Sequence, residues 1–169
     1  VEIKGVMLSH FLWMAHRSLR GDAAGNPIEF RKRIEECLNL LGLDASFADR
    51  AVNDGFSGGE KKRAEVVQML VLDPKVAILD ETDSGLDIDS VKIAARGVEH
   101  FVSQDKTVLL ITHYQRILRY VRPEYVHVVL DGRIVLSGDY SLSEELEARG
   151  YQWLINQYRE KEGNNDGTK

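Results

Sequence analysis

The apolar positions of this chain fall into two patterns. Over residues 7–20, 28–41, 57–72 and 88–102 they recur every three or four residues, the period of an amphipathic helix. Over VAIL (76–79) and TVLLIT (107–112) they form short unbroken runs, which read as strands buried on both faces. Strand, helix and strand of these lengths make a βαβ unit, so the two strands are expected to run parallel. YVHVVL (125–130) and RIVLS (133–137) flank Asp131-Gly132, a strong signal for a two-residue hairpin turn.

The punctuation between these runs is specific. RGDAAGNP (20–27) reads as a loop that ends with Asn26 capping the next helix, Pro27 at its first position and Glu29 at its third. Gly42 stops that helix, and a turn-rich stretch runs to Gly55. Pro74 closes the helix that starts after Ser57. The helix over 88–102 is expected to face inward with Val91, Ala94, Ala95, Val98, Phe101 and Val102. Residues 115–121 read as a short helix ending near Pro123. Ser141 and Glu144 are spaced to cap a helix that Gly150 ends, and residues 151–159 read as one more.

Composition narrows the class. A chain of 169 residues, 43% hydrophobic and 29% charged, has the make-up of a soluble globular protein with one real core. No apolar run approaches the roughly 18 residues that cross a bilayer, and VEIKGVMLSH lacks the form of a secretory signal. The missing initiator Met implies a start inside a longer protein. A net charge of −5 speaks against nucleic acid as partner, and Lys61, Lys62 and Arg63 read as a solvated helix face. The single cysteine, Cys37, excludes an internal disulfide, fits a reducing compartment and reads as a small core residue.

Three motifs carry chemistry. In FSGGEKKR (56–63), Ser57 and Glu60 have the spacing of a capping box, which alone would account for them. Gly58 and Gly59 are poor choices for a first helical turn. What they offer is bare N–H groups at the positive end of a helix, an arrangement suited to phosphate. In VAILDETDSGLD (76–87), a buried strand delivers Asp80 and Glu81 to its C-terminal edge, where α/β sheets bind ligands. One acid there can hold Mg²⁺ and the next can orient or deprotonate an attacking water; two solvated acids are the plainer alternative. Asp87 is placed to cap the helix that follows. LLITHY (109–114) ends the second strand in His113, either a capped structural histidine or a group that polarises a γ-phosphate.

In this order and spacing, FSGGE, VAILDE, SGLD and His113 resemble the nucleotide-binding domains of the ABC ATPase superfamily. The wording FSGGEKKRAE, LDETDSGLDID, ITHYQRIL and DGRIVLSGD is most similar to the ATPases of the SUF iron–sulfur cluster assembly system, across residues 1–154. The resemblance implies an α/β, RecA-like fold: a helical subdomain over 1–72, a partial α/β layer with C-terminal hairpin and helices over 73–158, and a disordered tail over 159–169. It implies ATP and Mg²⁺ as ligands and Glu81 and His113 as catalytic groups. Asp80 would be a magnesium ligand through water, and Ser57, Gly58, Gly59 and Asp87 nucleotide contacts. Glu60 stands where most of the superfamily has glutamine, and is expected to turn back onto the cap.

The resemblance further implies a head-to-tail pair of subunits, Ser57–Gly59 of one facing the nucleotide held by the other. SUF scaffold subunits would dock on the helical subdomain, within residues 1–50, with no direct membrane contact, in the cytoplasm or plastid stroma. One part is missing: G-x-x-x-x-G-K-[ST], the P-loop, occurs nowhere in these 169 residues, nor does the glutamine loop. The chain thus resembles the C-terminal two-thirds of an ABC ATPase and is expected to be inactive alone. A transporter ATPase docking on a permease and an interaction module without a P-loop are the competing readings. A DNA-repair ABC ATPase would carry a coiled-coil insertion, which is absent.

Overall fold

A computed structural model describes residues 2–102, 105–114 and 116–165, with the backbone alone over 159–165. The chain forms two compact units, Val1–Val121 and Arg122–Lys169. No break falls at 72/73, the subdomain boundary expected from the sequence. Leu70 and Val71 before it and Ala77 and Leu79 after it belong to one buried cluster.

The first unit opens with a strand that the apolar pattern does not predict, β1 (Ile3–Met7), antiparallel to the two-residue β2 (Ala51–Val52). Its signal is faint because β1 is half exposed and its partner is too short to show a period. Helix α1 (Leu8–Arg20) follows at once and buries Leu8, Leu12 and His16. Helix α2 (Pro27–Leu40) starts as expected: Asn26 Oδ1 accepts from the Ile28 N–H at 2.8 Å. Cys37 is half buried against the core, and burial pushes its thiol up, as befits an inert packing residue.

Helix α3 (Gly58–Leu72) leads into β3 (Val76–Asp80), then α4 (Ile88–Phe101) and β4 (Thr107–Ile111). The two strands pair in parallel, Ile78 opposite Leu109 and Asp80 opposite Ile111, as the βαβ pattern required. They are not buried on both faces, however. Ala77 and Leu79 join the core, whereas Val76 (60%), Ile78 (65%), Leu109 (49%) and Ile111 (46%) are exposed. An unbroken apolar run reports two faces that suit burial; among the described residues only one of them is covered. Val102, expected to face inward, is also half exposed, because α4 ends one residue before it.

Helices α2, α3 and α4 meet closely at Gly97. A Cβ built there would stand 2.5 Å from Val66 Cγ1 and 2.9 Å from Leu41 Cδ2. Only a residue without a side chain lets the helices approach to this degree. Gly97→Ala is therefore expected to destabilise the unit by about 1–3 kcal/mol through overpacking. That outweighs the gain of roughly 1 kcal/mol that alanine brings to a helix interior. Urea denaturation checks the sign: a Gly97→Ala variant as stable as the parent means the packing relaxes freely.

After β4, the segment predicted as a helix over 115–121 narrows to a 3₁₀ turn, Ile117–Arg119, anchored by fully buried Ile117; Gln115 lies outside the described residues. In the second unit β5 (Val126–Leu130) and β6 (Arg133–Gly138) form the expected hairpin. Its turn residues both have positive φ, Asp131 at 48° and Gly132 at 76°, the geometry that makes this dipeptide a hairpin signal. Helix α5 (Tyr140–Arg149) is capped by Asp139, not Ser141: the Asp139 carboxylate accepts from both the backbone N–H and the hydroxyl of Ser141. The acid two residues earlier outcompetes the serine because it accepts from both. Helix α6 (Gln152–Asn165) runs past the expected stop at 159, and 166–169 of the expected tail lie outside the described residues. Leu142, Leu146 and Leu154 form this unit's core.

Candidate functional site

The start of α3 is built by its own sequence. Ser57 Oγ accepts from the Glu60 N–H at 3.3 Å, and Glu60 Oε2 accepts from the Ser57 N–H at 2.7 Å, a complete capping box. Glu60 does turn back onto the cap. The bond from the Ser57 backbone holds its carboxyl below the usual range, with Arg50 nearby adding to the effect. Arg50 itself lies over the paired Phe47 and Phe56 rings and donates to the Gly55 carbonyl at 2.9 Å.

The two glycines are not packing glycines. Ser57 and Gly58 are exposed. A Cβ at Gly58 would meet no atom within 4 Å, and one at Gly59 would make ordinary contact with Leu86 and Ser90, 3.7 Å away. Nothing among the described residues demands glycine at 58. The basic residues behind them are occupied: Lys61 pairs with Glu2 at 2.8 Å, Lys62 with Glu65 at 3.4 Å, and Arg63 donates to the Gly42 carbonyl at 3.2 Å.

Removing the cap is expected to cost about 1 kcal/mol. Ser57→Ala should show this in urea unfolding at neutral pH. Glu60, Asp44, Asp87 and Asp139 all accept at helix or turn starts and all titrate below their ordinary values. Their contribution is complete above pH ~6, where the unfolded carboxyls are fully ionised, and is lost as pH falls through the unfolded and then the lower folded values. Glu60→Gln should flatten part of that acid slope; an unchanged slope would show that Glu60 does not take part.

Two parallel strand ends present the acids and the histidine. β3 ends in exposed Asp80, and Glu81 follows at a φ of 49°, an uncommon value for a non-glycine residue, with its N–H bonded to the Ile111 carbonyl at 2.8 Å. That bend carries the Glu81 carboxylate to His113 beyond the end of β4, Oε1 to Nδ1 3.1 Å. Since a carboxylate only accepts, Nδ1 carries the proton, which leaves Nε2 as the open nitrogen. Both side chains are more than half exposed, and the His113 ring lies on that of Tyr114 at 3.9 Å. Asp87 caps α4, accepting from the Ser90 N–H at 2.7 Å.

Two residues of this region, Asp83 and Thr112, have no part in the sequence-based expectations. Asp83 is fully buried, and both its carboxylate oxygens lie 2.9 Å from Thr112 Oγ1. In the acidic run from 80 to 89 no sequence feature marks which acid turns inward; a hydroxyl directly before His113 was the one available hint.

Residues 4–84 match the family model for ABC transporters. The chain is 50% identical over 158 residues to the probable ATP-dependent transporter ycf16 of Trieres chinensis, covering 91% of this chain and 62% of that protein. It is 48% identical over 160 residues to the probable ATP-dependent transporter SufC of Escherichia coli, covering 93% of this chain and 64% of that one. The fold matches the dimeric structure of MJ0796, a bacterial ABC transporter cassette, with a TM-score of 0.69 at 22% identity, over 82% of this chain and 59% of the other. The fold is that of part of an ABC-type ATPase cassette, and the sequence is similar to members of that family over nine-tenths of its length. Within that family its relatives include the SufC and ycf16 proteins, of whose length it spans a little over three-fifths. Among the described residues no helix is long and apolar enough to cross a membrane.

Proposed function

We propose that the chain is the signature and acid-bearing portion of a SUF-type ATPase, working in the cytoplasm or plastid stroma on iron–sulfur cluster assembly. The observation that carries this is the meeting of Glu81 and His113 at 3.1 Å beyond two parallel strand ends. In this reading Glu81 orients and deprotonates the attacking water, and His113, its Nδ1 proton tied to Glu81, offers Nε2 toward the γ-phosphate. Asp80 supplies one magnesium ligand. The described residues bring no three metal-ligating side chains together, so the rest of the shell would come from nucleotide and water, a mode common for Mg²⁺. When bound, Mg-ATP supplies the phosphoryl group and most of the charge neutralisation.

Ser57, Gly58 and Gly59 then serve a nucleotide held by a second subunit. An exposed helix mouth with an open position at Gly58 suits a phosphate brought by another chain. Asp87 holds the turn beside that mouth by capping α4. Scaffold subunits of the assembly system would dock within residues 1–50. The test is to mix the chain with an intact, hydrolysis-deficient ATPase subunit of this family and follow pairing by sedimentation. Pairing that requires ATP supports the reading, and no pairing at any ATP concentration refutes it. Co-purification with a membrane permease instead of soluble cluster-assembly proteins would favour the transporter alternative.

A further inference from the structure

The first unit holds a fully buried carboxylate, Asp83, which the proposed chemistry does not use. A buried carboxylate is expensive unless it is bonded, and the group that meets both its oxygens is a hydroxyl. That hydroxyl belongs to Thr112, the residue between β4 and His113. Thr112 Oγ1 lies 2.9 Å from both Asp83 oxygens, and the same oxygen accepts the Tyr114 N–H at 2.9 Å. One atom thus ties the loop after β3 to both sides of His113. Its single proton goes to Asp83 and its lone pair to Tyr114; the Tyr114 carbonyl at 3.0 Å is a second acceptor within reach of that proton.

The same two loops are joined at two further points: the Glu81 N–H bonds the Ile111 carbonyl, and Glu81 meets His113. The outermost of these links is the one between two exposed side chains. An exposed pair of this kind has little stability of its own. The geometry points to Asp83 and Thr112 as positioning residues: a buried clasp that sets the spacing of the two strand-end loops and so holds His113 Nδ1 against Glu81. This inference rests on the reading of Glu81 and His113 as a working pair.

The test reads the His113 ring directly in the full ¹⁵N-labelled chain, by long-range ¹H–¹⁵N correlation, with the signal assigned through His113→Gln. In the parent, His113 is expected to hold its proton on Nδ1. Thr112→Val keeps the volume but removes the hydroxyl, and should move His113 to the Nε2–H form that an unconstrained imidazole favours. Thr112→Ser should restore the parent signal. Circular dichroism establishes that each variant is folded. If Thr112→Val leaves the tautomer unchanged while Glu81→Ala, which has no acceptor there, alters it, the pair stands and the clasp is refuted. If neither changes it, the pair is absent and both readings fall. Should Thr112→Val not fold, hydrogen exchange in the parent decides. A Tyr114 amide as protected as the β4 amides, although outside any strand, supports the clasp, and rapid exchange overturns it.

Discussion

Mixed with an intact subunit that holds ATP, the chain is expected to form a one-to-one pair, while by itself it turns over ATP no faster than background. Both results follow from which half of each site is present. Phosphoryl transfer depends on positioning and charge neutralisation, and the positioning comes chiefly from the phosphate cradle. These 169 residues contain no G-x-x-x-x-G-K-[ST] string, so Glu81 and His113 face no anchored nucleotide in their own chain. The helix mouth at Ser57–Gly58 needs no such anchor, because its ligand arrives on the partner. Gly58→Val should abolish pairing yet leave unfolding nearly unchanged, since a side chain there meets nothing in the chain itself. In a longer chain that supplies a P-loop, Glu81→Gln should lower kcat by about 10²–10⁴, the range for losing a general base. Robust hydrolysis by the 169-residue chain, abolished by Glu81→Gln, would overturn this division of labour.

Much of this site was legible from residue order alone, and the reasons differ from place to place. Capping is local: Asn26, Ser57 with Glu60, and Asp87 each bond a backbone group two or three residues away, so a window of four residues contains the cause and the effect. The parallel pairing of β3 and β4 was legible because a helix of α4's length permits little else. What stayed hidden is non-local. Asp83 is one acid among several until Thr112, 29 positions on, arrives to bond it. The bend at Glu81 that aims its carboxylate at His113 is a backbone angle that no side-chain pattern encodes. Asp139 shows a local failure of another kind: two acceptors, Asp139 and Ser141, competed for one helix start, and spacing to Glu144 favoured the wrong one.

Concentrated alone, the chain is expected to self-associate through β3 and β4. Val76, Ile78, Leu109 and Ile111 form a contiguous apolar face, because paired positions of a parallel ladder point the same way. Each of the four is at least 46% exposed. Beside them, an open groove of about 440 Å³ is lined by Met69, Pro74 and the length of β3. Among the described residues β3 pairs with β4 alone, so the backbone groups of its other edge face no strand. An exposed apolar face next to an unpaired edge is the combination that recruits other chains. Light scattering should show growth in mass with concentration in the micromolar range. Replacing Ile78 and Leu109 together by lysine should suppress it, since charges on this face oppose stacking while removing little buried contact. The same double change should damage folding in a longer relative in which this face is covered, because it would bury two unpaired charges. A monomer at all concentrations, unaffected by the lysines, would mean that the face is quiet as it stands, and that its apolar character answers to no partner.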